Sequence, residues 1–156
     1  MRRIIWILPV LVWMSVIFWF SEKPADQSSQ MSMSVGRIVG EICVRDFGKL
    51  PEGEQMEFAE QIDHFVRKSA HFTEYAILGI LLANTYAAFG MRRWKWFLCS
   101  SGSGILYAAS DEFHQLFVPG RSGQVSDVLL DGCGVVAGAV LYFVCVLLLK
   151  RYKNGR

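Results

Sequence analysis

Apolar runs long enough to enter a bilayer frame a charged middle, and that alternation limits what this chain can fold into. Ile4 to Phe20 supplies 17 mostly apolar residues behind Met-Arg-Arg, and a continuous apolar run starts at Cys133. A hydrocarbon core about 30 Å thick needs about 20 such residues in a helix. Backbone polar groups in lipid must bond within their own segment or a closed barrel. The expected fold is all-α, a polytopic bundle of four transmembrane helices. The first run ends Trp-Phe-Ser-Glu-Lys-Pro with no small-x-small cleavage site, so we read it as a retained helix rather than a signal peptide.

Between the runs, Tyr107 to Asp131 packs Asp111, Glu112, His114, Gln115, Arg121, Asp127 and Asp131 closely together. Charges beside hydrocarbon are costly and are expected to face one another or a water-filled cavity. The chain has 156 residues, enough for one domain, and is 53% hydrophobic, which suits a small polytopic membrane protein. We therefore expect one domain over 1–156. Its four spans should fall at about 4–20, 68–89, 94–115 and 124–149. The extracytoplasmic segment 21–66 should carry two amphipathic helices.

Charge placement sets the orientation. Acidic residues are absent from 1–21, 75–110 and 132–156. Basic clusters stand at Arg2-Arg3, Arg92-Arg93-Lys95 and Lys150-Arg151-Lys153-Arg156. With four spans and a cytoplasmic N terminus, all three clusters fall inside, as the positive-inside rule requires. Short basic clusters beside apolar runs read as topology signals, so no nucleic-acid partner is expected. The four cysteines show no CxxC or Cys/His zinc spacing and read as free thiols.

In the extracytoplasmic segment, Met31, Val35, Ile38, Val39 and Ile42 recur at helical spacing, as do Phe58, Ile62, Phe65 and Val66. The turn signal Lys49-Leu-Pro-Glu-Gly divides them. These predict two amphipathic helices lying on the bundle or in the interface.

Helical geometry groups the polar residues. Lys68, His71 and Tyr75 fall within roughly a 60° arc that Gly79 extends, while Glu74 points elsewhere. Gly104, Tyr107, Asp111 and Gln115 share a face; Glu112 and His114 are rotated from it. Asp127, Asp131, Gly134 and Gly138 form a stripe whose glycines let a neighbouring helix close in. Rise along each helix places His71, Asp111 and Asp131 near the outer edge of the core, so one extracytoplasmic polar layer is expected.

These same residues carry a family resemblance. Lys68-Ser-Ala-His71-Phe-Thr-Glu-Tyr75, Ser110-Asp-Glu-Phe-His-Gln115, Pro119-Gly-Arg121 and Asp127-Val-Leu-Leu-Asp131-Gly-Cys-Gly134 resemble, in this order, the VanZ-like membrane proteins. The resemblance is strong over about 65–140. It departs at Asp131, where many relatives carry Asn, so it does not make a charge essential there. It implies a bacterial cell-envelope role tied to low-level resistance to teicoplanin, a membrane-anchoring glycopeptide. It implies no particular reaction.

Three readings of the polar layer stand side by side. An ion-pair network could tie helix ends together. Yet Asp111, Glu112, Asp127 and Asp131 outnumber Lys68 and Arg121, which argues for a bound cation, a shared proton or a positive ligand group. A binding pocket would use Lys68, His71, Tyr75, Asp111, Glu112, Gln115, Arg121, Asp127 and Asp131. Its ligand would be a lipid headgroup, a lipid-linked wall precursor or part of a glycopeptide. An enzyme would use His71 with Asp111 or Asp127 as acid and base. Those three residues could alternatively hold a divalent ion, magnesium, calcium or manganese.

Overall fold

The computed structural model describes residues 3–154; Arg2 and Arg156 of the basic clusters lie outside them. Among the described residues there are five α-helices and no strands. A short 3₁₀ turn, Ile4–Trp6, leads into α1 (Ile7–Ser21). Then follow α2 (Ala25–Cys43), a second 3₁₀ turn (Phe47–Lys49), α3 (Glu52–Ala88), α4 (Arg93–Gln115) and α5 (Val125–Asn154). Two helical stretches, Ile4–Ser21 and Val125–Tyr152, are long and apolar enough to cross a membrane. The charged N-terminal turns of α3 and the Ser100-Ser-Gly-Ser-Gly run of α4 keep those two less apolar.

Local chemistry sets the boundaries. Pro24 and Pro51 hold extended backbone immediately before α2 and α3, where a missing N–H costs nothing. α3 ends at Gly90, whose φ of +82° suits a residue without a Cβ, and its N–H closes onto the Ala87 carbonyl. Val118-Pro-Gly-Arg121 forms a β-turn with Gly120 at φ +73°, closed by the Arg121 N–H on the Val118 carbonyl at 3.1 Å. That turn aims Arg121 back toward the bundle.

The stretch bearing Phe58, Ile62, Phe65 and Val66 is not a separate amphipathic helix. It is the N-terminal part of α3, which runs unbroken for 37 residues. Its helical pattern is real, but no breaker separates it from the more apolar half of the helix that follows. At 1.5 Å per residue α3 is about 55 Å long, well beyond a bilayer core. Nor does α2 use its apolar stripe to pack on α3. Ser32, Gly36 and Gly40 are its buried positions, while Met31, Val35, Ile38 and Ile42 stay exposed. A Cβ on Gly36 would lie 3.2 Å from the Ala59 Cα, so the backbones touch there. Phe47 folds over Gly40 and stacks edge-on against Phe58.

The bundle centre is α3 against α5, with α4 packed on both. Gly79 faces the Val135 backbone, and Gly138 faces the Ala76 carbonyl. Tyr75, Leu78, Ala108 and Val135 form the core beside the polar layer. Ala83, Trp96 and Ala139 form a second core toward the α3–α4 turn. Helix α1 leans on this assembly through Val10 and Ile17 and is fastened by polar hooks. Trp13 Nε1 donates to the Glu74 carbonyl at 2.9 Å, and the Tyr107 hydroxyl donates to the Met14 carbonyl at 2.6 Å.

Candidate functional site

The end of α1, the middle of α3, the end of α4 and the start of α5 meet at one end of the bundle. Lys68 pairs with Asp127, joining α3 to α5. One turn deeper, His71 Nδ1 lies 3.9 Å from Asp131 Oδ1. A further turn in, the Tyr75 hydroxyl donates to Asp111 Oδ2 at 3.2 Å, joining α3 to α4. The stripe of Lys68, His71 and Tyr75 thus meets α5, α5 and α4 in turn. Gln115 Nε2 reaches the same Asp111 oxygen at 3.5 Å. Its Oε1 accepts from Arg121 Nη1 at 3.3 Å.

Glu112 has a definite role in the fold. Its Oε1 accepts the backbone N–H of Gln124 at 2.9 Å, just before α5. A carboxylate there satisfies an otherwise orphaned donor and opposes the positive end of the helix dipole. Arg121 crosses to the other side: its Nε donates to the Lys23 carbonyl at 3.0 Å and its Nη2 to the Phe20 carbonyl at 3.4 Å. The α4–α5 loop is therefore tied to the end of α1. Burial, with Arg67 nearby, pulls the Arg121 guanidinium below the usual arginine value, while Asp111, Glu112 and Glu74 push the other way.

Two cavities open on this layer and share Arg67, His71 and Arg121. The larger, about 320 Å³, lies among α1, α2 and α3 and has Phe20, Lys23, Met31, Val35, Val66 and Glu74 among its walls. The smaller, about 160 Å³, is lined by His64, Lys68, Gln115, Ser122, Gln124 and Asp127 among others. Tyr75, Asp111, Glu112 and Asp131 are absent from both linings; they sit behind the cavities, each less than 5% exposed.

The charge count at the cavity surface is the reverse of the sequence count. Lys23, Arg67, Lys68 and Arg121 line the two cavities against the carboxylates of Glu74 and Asp127. The acidic surplus is real along the sequence, but three of its four carboxylates, Asp111, Glu112 and Asp131, are withdrawn into the layer behind. There Asp131 keeps both oxygens, and Asp111 keeps Oδ1, buried without a hydrogen-bond partner. His71 Nδ1 is likewise buried and unbonded, facing Asp131.

Lys23, Arg67 and Glu74 also border the cavities, beyond the residues to which the sequence points. Glu74 was assigned to another face, yet it borders the larger cavity from the side that α1 and α2 close. Arg67 is anchored by Asp63 and by Ser29 of α2. Its place beside Lys68 in the sequence was the available signal. His114 packs its ring on Phe18 at 4.6 Å and takes no part in either lining. His64 borders the smaller cavity but is exposed.

The residues suggested for a divalent ion do not gather. Among the described residues no three His, Cys, Asp or Glu side chains form a metal-holding group. Asp127 is engaged by Lys68, Asp111 by Tyr75, and His71 faces Asp131 instead.

No curated protein and no solved structure matches the chain. The family model described as VanZ/LLP1 matches residues 6–148, which takes in α1 through most of α5 and every polar group just described. With nearly the whole chain matched and the two apolar helices in place, the protein belongs to the VanZ-like family, VanZ/LLP1.

Proposed function

We propose that this chain is a four-span protein of the bacterial cell membrane, with both termini cytoplasmic, whose outward pocket binds an anionic headgroup. Family membership is consistent with a cell-envelope protein linked to teicoplanin resistance. The candidate ligands are a membrane lipid, a lipid-linked wall precursor or part of the glycopeptide. The observation that carries the reading is the convergence of Lys23, Arg67, Lys68 and Arg121 on two neighbouring cavities with three residues in common. A network serving only to tie helices would balance its charges at the cavity wall. Arginine also fits phosphate or carboxylate bidentately.

The orientation follows from α3 and α4. If both span, the site lies at the end opposite the α3–α4 turn, which carries Arg92, Arg93 and Lys95. Reporters fused after Asn154 and within the Asp46–Lys49 turn test this: the first should read cytoplasmic and the second external. For the pocket, Arg121→Ala, Asp127→Asn, Asp111→Asn and His71→Gln should each lower teicoplanin tolerance at equal protein level in the membrane. Unchanged tolerance in all four sinks the reading.

A second reading rests on the His71–Asp131 pair, where a carboxylate faces an imidazole that also borders both cavities. Such a pair could move a proton in an enzyme acting on an envelope lipid or glycan. Under that reading His71→Gln costs about 10²-fold or more in turnover, whereas binding alone is weakened by it but survives in part.

A further inference from the structure

We infer that the two cavities are halves of one site for an anionic phospholipid with a hydroxylated headgroup. Its phosphate would lie at Arg67 and Arg121, the headgroup in the smaller chamber and one acyl chain in the larger. This rests on the pocket reading above and names its ligand. The guanidinium pair stands between the chambers, since both arginines border both cavities. Arg121 spends its hydrogen bonds on two backbone carbonyls and the Gln115 amide oxygen. Among the described residues no carboxylate stands within ion-pair range of it. Arg67 gives Nη2 to Asp63 and Ser29, but its Nε is buried with no partner. An Nε without an acceptor is costly; the Arg67 side chain, 33% exposed, would turn that N–H toward a phosphate oxygen in the cavity and remove the cost.

The chambers differ in chemistry, which separates a lipid from a free anion. Phe20, Met31, Val35, Val66 and Ala70 give the larger one an apolar wall, and it has about twice the volume of its neighbour. The exposed side chains of Met31 and Val35 in that wall leave room for a chain to lie against α2. The smaller chamber offers Gln115, Ser122 and Gln124, which suit hydroxyl groups. Its carboxylate, Asp127, is already held by Lys68, so an ammonium headgroup finds no free counter-charge and meets a cationic wall.

The test is native mass spectrometry of the full chain in micelles, titrated separately with phosphatidylglycerol, phosphatidylcholine, glycerol 3-phosphate and teicoplanin. Phosphatidylglycerol should bind about tenfold or more tighter than phosphatidylcholine, and Arg67→Gln should remove about that factor. Val35→Trp and Met31→Trp, both at exposed positions, should weaken the lipid and leave glycerol 3-phosphate unchanged. Equal binding of the two lipids, insensitive to these variants, means only surrounding bilayer lipid and overturns the inference. Glycerol 3-phosphate binding as tightly as phosphatidylglycerol overturns the two-chamber inference while the headgroup pocket stands. Binding of teicoplanin alone does the same. No binding of any probe, together with unchanged teicoplanin tolerance in the site variants, overturns both.

Discussion

Gly138→Ala tests the close approach of α3 and α5 that sets the site's geometry. A Cβ on Gly138 would run into the Ala76 carbonyl oxygen, with Ala76 C at 2.8 Å and Cα at 3.1 Å. These are backbone atoms of α3, so no rotamer change relieves the clash; the helices must part. Gly102→Ala is the matched control, because nothing lies within 4 Å of the Cβ it would add. Both changes carry the same helix-propensity gain, about 1 kcal/mol in soluble hosts. The difference between them isolates the packing strain, about 1–3 kcal/mol for an overpacked site. That is roughly 5- to 150-fold in the folding equilibrium. Reversible unfolding in mixed micelles, followed by circular dichroism, should show Gly138→Ala destabilised relative to Gly102→Ala by that margin. Two variants of equal stability would refute the argument that α3 and α5 touch backbone to backbone, and with it the fixed spacing of Lys68 from Asp127.

Other outcomes follow from single contacts. Lys68→Met and Asp127→Asn each remove one partner of a pair whose side chains are 28% and 26% exposed; a double-mutant cycle on unfolding should return a coupling of about 1 kcal/mol. Additive single effects would mean the pair is decorative. Tyr75→Phe deletes only the hydroxyl of a fully buried ring and leaves Asp111 Oδ2 with the long Gln115 contact; a loss of about 1–3 kcal/mol is expected in the same assay. Gly120→Ala places a Cβ at φ +73° and 3.1 Å from the Ala25 Cβ, a strain of about 1–2 kcal/mol. It should loosen the Arg121 turn and lower ligand retention before it lowers the melting temperature. Arg121→Lys keeps the charge but loses the fork that spans Phe20, Lys23 and Gln115, so retention should fall nearly as far as for Arg121→Ala. Full rescue by lysine would show that charge alone suffices there.

Much of this protein could be read along the chain. The length of the apolar runs gave α1 and α5, and helical periodicity gave α2 and the first half of α3, because a 3.6-residue repeat shows only where the faces of a helix meet different surroundings. The same repeat put Lys68, His71 and Tyr75 on one face and Asp127, Asp131, Gly134 and Gly138 on another, and the two faces do meet. The continuity of α3 was not legible. Phe58 to Val66 and the span after it are each helical by pattern, and only the absence of a breaker between them says that they are one rod. The small-residue face of α2 was hidden for a related reason. Exposed Met31, Val35, Ile38 and Ile42 look more like a packing stripe than Ser32, Gly36 and Gly40 do.

What only the tertiary structure decided is which charges share a space. Lys23 follows α1, Arg67 lies in α3 and Arg121 in the α4–α5 loop, so no local pattern links them. They meet because the chain folds back on itself, and the same packing draws Asp111 and Asp131 out of the cavity walls. A linear count weighs every charge equally, whereas a cavity presents only those its packing leaves at the wall.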